Sequence, residues 1–74
     1  MNRLYLLTRL SEGKSAVIVR LNRDISQKCF SVLSEGNGIM CRRRIKGIGG
    51  IYIYSGRKIF ISEKEAGFVV CADE

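Results

Sequence analysis

The chain has 74 residues, 13 Lys+Arg against 7 Asp+Glu for a net charge of +6, and no histidine, proline or tryptophan. At this length it is read as one domain, residues 1–74, around a small core; 46% hydrophobic and 27% charged residues suit a globular protein rather than a disordered one. With no histidine and no serine or cysteine beside a recognisable base, neither an enzyme nor a cofactor is expected.

No apolar run reaches the roughly 18 residues of a membrane span. The segment Asn2–Leu7 starts basic, but Thr8 and Arg9 end its apolar run too soon for a signal peptide. Both readings point to the cytoplasm. Leu4–Leu10 breaks at Ser11-Glu12-Gly13, placing Leu7 and Leu10 to cap one end of a core from an irregular or single-turn segment. Ser15–Leu21 is the first predicted strand, with Ala16, Ile18 and Leu21 inward. Asp24 is a good N-cap and Gln27 completes a capping-box pattern. Ile25, Cys29, Val32 and Leu33 then form one helical stripe and Gly36 stops it, so a helix is predicted over Ile25–Glu35, with Phe30 off the stripe.

Gly36-Asn37-Gly38 reads as a turn and Ile39–Lys46 as the second strand. Ile39, Cys41 and Ile45 share a parity with Arg43. Either a bulge resets the phase or Arg43 lies at a rim with its stem along apolar surface. Gly47-Ile48-Gly49-Gly50 reads as a mobile loop joining two strands, not as a phosphate loop, which needs GxxxxGK[ST] between a strand and a helix.

A hairpin follows. Ile51 and Ile53 alternate with Tyr52 and Tyr54, and Ile59 and Ile61 with Lys58 and Phe60. An odd loop gathers all four isoleucines on one face, so a three-residue loop, Tyr54-Ser55-Gly56, is predicted, leaving Tyr52, Tyr54, Lys58 and Phe60 outward. Ser62-x-x-Glu65 is a second capping box for a short helical turn around Ala66, and Phe68–Cys71 is the last strand. The order predicts a mainly β fold: a small SH3-like barrel of about five strands, with one helix between strands 1 and 2 and a short helical turn before the last strand. Closure would protect edges that so short a chain could not otherwise cover.

Cys29, Cys41 and Cys71 are odd in number, widely spaced and without a CxxC, so they read as small core hydrophobes rather than a disulfide framework or metal site. The sharpest charged feature is Cys41-Arg42-Arg43-Arg44-Ile45-Lys46. Arg42, Arg44 and Lys46, with Tyr52, Tyr54 and Phe60 on the hairpin, are the candidate partner-binding residues. A basic groove interleaved with aromatics is also how small barrels hold single-stranded nucleic acid. Alternation scatters the arginines over both faces, which favours a solvated edge or an acidic protein partner.

The second half, Gly50-Ile51-Tyr52-Ile53-Tyr54, Gly56–Ser62 and Ala66–Val70, resembles the closing hairpin, turn and last strand of the FeoA family of ferrous iron uptake. Leu7, Leu10, Gly13, Ala16 and Ile18 are similar to that family's lead into the first strand. The family's Leu-Gly and Pro-Gly around the helix exit are replaced here by Leu33-Ser34-Glu35-Gly36-Asn37-Gly38. The resemblance implies an SH3-like barrel that works by binding. Its expected partner is the cytoplasmic part of FeoB, the membrane ferrous iron transporter with a GTP-binding domain, whose uptake it modulates. Neither nucleic acid nor a metal site is expected from it.

Overall fold

A computed structural model describes residues 3–22 and 32–73 of the chain. Six strands are present: β1 (Leu4–Leu6), β2 (Ser15–Leu21), β3 (Gly38–Ile45), β4 (Gly49–Tyr54), β5 (Arg57–Ser62) and β6 (Val69–Asp73). A 3-10 turn spans Leu7–Arg9 and a short helix, α1, spans Glu63–Ala66. Every strand pairing is antiparallel, in the order β1-β6-β2-β3-β4-β5.

The mainly β prediction stands, but two parts of it are corrected. There are six strands rather than five, because Leu4–Leu6 pairs with β6, Leu4 opposite Ala72 and Leu6 opposite Val70. Three residues carry too little alternation to be read as a strand, and their partner lies at the far end of the sequence. The sheet is also open: among the described residues β1 and β5 are its two edges, with no ladder between them. The core is closed instead by side chains from outside the strands. Leu7, Leu10, Leu33 and Ala66 join Ala16, Ile18, Ile39, Cys41, Tyr52, Ile61 and Val69 in one buried cluster.

Strand β2 has the predicted bounds, with Ala16 and Ile18 fully buried and Leu21 packed against the cluster. The predicted helix 25–35 falls largely outside the described residues. Its end is corrected, since Val32 is helical and Leu33–Glu35 are not. The backbone there finds other partners. The Ser34 N–H donates to the Tyr54 hydroxyl at 2.8 Å, the Gly36 N–H to the Ile18 carbonyl at 2.7 Å, and the Ile18 N–H to the Asn37 carbonyl at 2.9 Å.

The segment 47–50 is not one loop. The turn occupies Lys46–Ile48, closed by the Ile48 N–H on the Ile45 carbonyl at 3.0 Å, and Gly49 and Gly50 belong to β4. Close approach requires glycine at 49: a Cβ there would meet the Ile61 carbonyl oxygen and lie 2.8 Å from Ser62 Cα. Gly50 is buried beneath the Tyr52 ring, 3.0 Å from where a Cβ would sit.

The hairpin loop is the largest correction. Tyr54 pairs with Arg57, Tyr52 with Ile59 and Gly50 with Ile61, so the loop is the two residues Ser55-Gly56. Positive φ at both, 51° and 75°, gives the type I′ form, whose twist matches that of the flanking strands. The even loop turns Tyr52 and Tyr54 inward with Ile59 and Ile61, and leaves Ile51 and Ile53 with Lys58 and Phe60 on the outer face. At α1 the predicted N-cap is present: the Ser62 hydroxyl accepts from the Glu65 N–H at 3.2 Å.

Candidate interaction surface

The six predicted binding residues separate into three environments. Tyr52 and Tyr54 are 1% and 6% exposed, so neither presents a ring to a partner, and the expectation that they face outward is corrected. The physical reason is area: two tyrosines over Gly50 fill the core, and each ring buries more apolar surface than an isoleucine. Burial pushes the Tyr52 hydroxyl up to about 12. The Tyr54 hydroxyl accepts from the Ser34 N–H and, at 3.0 Å, from Asn37 Nδ2, fastening the chain that leads into β3.

Arg44 is a brace. Its backbone N–H donates to Glu12 Oε2 at 2.6 Å and its Nη1 to the Leu10 carbonyl at 2.9 Å, tying β3 to the segment before β2. The register shift between Cys41 and Arg43 is a bulge, the first of the two outcomes that the inward parity of Arg43 left open. It keeps Cys41 buried and leaves Arg42 and Arg43 exposed. Lys46 is exposed in the turn, and with Arg44, Gly49, Tyr52 and Glu63 it lines a groove of about 320 Å³. Phe60 is 55% exposed.

Phe60 belongs to a strip the sequence reading did not assemble. The register sets Phe60 opposite Ile51 and Ile51 opposite Arg43, while Lys58 lies opposite Ile53 and Ile53 opposite Met40. The outer face of β3–β5 therefore carries Met40, Ile51, Ile53 and Phe60 between the cations Arg43 and Lys58. The available signal was the Ser55-Gly56 dipeptide, a two-residue turn that dictates this pairing. The Phe60 ring leans over Gly49, which lines the same groove as Arg44 and Lys46.

Cys41 and Cys71 are buried thiols, as expected, while Cys29 lies outside the described residues. Burial raises the Cys71 thiol to about 11; it also raises Cys41, partly offset by the nearby Arg44 guanidinium. Both stay protonated at neutral pH and are poor nucleophiles or ligands. Among the described residues no three His, Cys, Asp or Glu side chains converge as a metal site, and no helix is long and apolar enough to cross a membrane.

Compared with known structures, this small antiparallel sheet is a fold already seen in a solved protein. It is similar to the crystal structure of an iron uptake regulatory protein, FeoA, with a TM-score of 0.82 at 21% identity, covering 93% of this chain and 96% of that one. The chain thus has a FeoA-like fold. No family model and no curated protein matches the sequence.

Proposed function

We propose that this chain is a non-enzymatic, cytoplasmic binding module that modulates ferrous iron uptake by docking on the cytoplasmic part of a FeoB-type transporter. The observation that supports it is the outer strip of β3–β5 on a FeoA-like fold, an apolar centre with an exposed aromatic and cations at its rim. Such a centre suits desolvated contact, and such a rim suits carboxylates on the partner. The sheet reads as an SH3-like barrel left open between β1 and β5, its core covered by the 3-10 turn, Leu33 and α1. The nucleic-acid alternative has lost support, since of its three stacking aromatics only Phe60 is presented.

Titration of the transporter's cytoplasmic domain, with and without guanine nucleotide, tests the reading. Binding is expected, with Phe60→Ala weakening it roughly tenfold, as for a residue at an interface centre. Arg43→Glu with Lys58→Glu should weaken it further and remove its salt dependence. No binding at high micromolar protein in either nucleotide state overturns the proposal. Binding to a mixed oligonucleotide that falls steeply with salt would favour the alternative.

A further inference from the structure

Tyr52 is 1% exposed, and among the described residues its hydroxyl makes no hydrogen bond. No described side-chain polar atom is both shut off from solvent and unsatisfied, so this hydroxyl opens on the groove that Tyr52 lines. A partner for it must come from that groove, and a buried polar group is seldom left without one. Thr8, Arg44, Lys46 and Glu63 line the same space of about 320 Å³. Nη1 of Arg44 donates to the Leu10 carbonyl at 2.9 Å, which fixes the guanidinium and leaves its other side-chain N–H groups unspent. Among the described residues no ion pair joins Glu63 to Arg44 or Lys46. The groove therefore offers two uncompensated cations and one carboxylate, a net charge of +1. Burial dominates the rise of the Tyr52 hydroxyl to about 12, but the Arg44 guanidinium opposes that rise and the Glu63 carboxylate adds to it, so both charges reach the oxygen. At neutral pH the hydroxyl keeps its proton and is a donor.

We propose that this groove binds a small acidic amino acid, a ligand of aspartate or glutamate size with two carboxylates and one ammonium. Arg44 and Lys46 take the carboxylates, the Tyr52 and Thr8 hydroxyls donate to them, and Glu63 takes the ammonium. The match is one of charge, since a ligand of net charge −1 neutralises the groove group against group. A plain dicarboxylate or a phosphate would satisfy the donors but leave Glu63 facing like charge, so the carboxylate of Glu63 selects against them. The volume lies at the small end of the roughly 300–1,000 Å³ usual for ligand sites, which suits a molecule of this size. Because the Leu10 carbonyl already holds the guanidinium, little side-chain freedom is lost there on binding.

Amide NMR spectra of the full chain, titrated at neutral pH and constant ionic strength with L-glutamate to about 20 mM, test this over a range that covers weak binding. Saturable shifts are expected at Lys46–Gly49 and at Glu63, with a dissociation constant of roughly 1 mM, the level of a ligand of about ten non-hydrogen atoms. Glutarate, which lacks the ammonium, and inorganic phosphate should each bind at least about fivefold more weakly. Tyr52→Phe removes no hydrogen bond within the described fold, so the chain should stay folded while L-glutamate binding weakens roughly tenfold. Glu63→Gln, at an exposed position, should bring L-glutamate down to the level of glutarate and leave glutarate no weaker. Lys46→Gln, also exposed, should weaken both. Shifts that do not saturate, L-glutamate no tighter than glutarate or phosphate, a folded Tyr52→Phe chain that binds as the original does, or a Glu63→Gln chain that still prefers L-glutamate overturns the proposal.

Discussion

Tyr54 shows how a side chain read as a binding residue becomes a structural one. Its hydroxyl is the acceptor for the Ser34 N–H and for Asn37 Nδ2, at the point where the chain leaves the helical segment. Tyr54→Phe keeps the ring and leaves both donors without it, so a loss of about 1–2 kcal/mol in urea unfolding is expected. Any effect of the same change on partner binding should be small. The buried acids set a second expectation. The Cys71 thiol is raised from 9.0 to about 11 and the Tyr52 hydroxyl from 10.0 to about 12, both through burial. In each case the unfolded chain loses the proton first. The stabilisation is therefore complete below the unfolded value and is lost as pH climbs toward the folded one. Stability should fall from near pH 9, with a slope of about 1.4 kcal/mol per pH unit for each group in its window. Cys71→Ala should reduce the slope between pH 9 and about 11 and leave the part of the decline above pH 10 that Tyr52 supplies, read from urea midpoints across that range.

Elements differed in how far the sequence disclosed them. Strand β2 was legible to its bounds because Ser15–Leu21 is long, β-branched and flanked by polar residues. Ser62 with Glu65 marked the start of α1 because a capping side chain acts locally. The hairpin was visible, but its facing was not. Four alternating isoleucines suggested an odd loop, whereas Ser55-Gly56 and the larger tyrosine rings impose an even one. Local turn geometry and ring area outweighed residue type, and with the facing went the identity of the presented strip. β1 and the tie from Arg44 to Leu10 and Glu12 depend on residues far apart in the chain, which local pattern cannot reveal. Gly49 makes the packing of this element testable. An added methyl would meet the backbone of Ile61 and Ser62, so Gly49→Ala should lower stability by about 1–3 kcal/mol, as overpacking does, visible in the thermal midpoint.

For the whole molecule, the net charge of +6 is spread unevenly in consequence. Arg44 is engaged within the fold, while Arg42, Arg43, Lys46 and Lys58 remain at the surface. Docking on an acidic partner should therefore be faster at low ionic strength, with the apolar strip setting how long the complex lasts.

The position of β6 between β1 and β2 bears on how the protein is made. The last of the six strands to emerge is the one that joins the first two, Cys71 meeting both Tyr5 and Ile18. Until those residues leave the ribosome, β1 has no neighbour in the sheet and β2 has only β3. A nascent chain can therefore form the β2–β3–β4–β5 meander early, but β1 and the open side of β2 stay without a sheet partner until β6 has emerged. Such sequence-distant pairing makes the final step slow relative to the hairpins. Until β6 pairs, β1 and the open side of β2 stay accessible to chaperones and proteases.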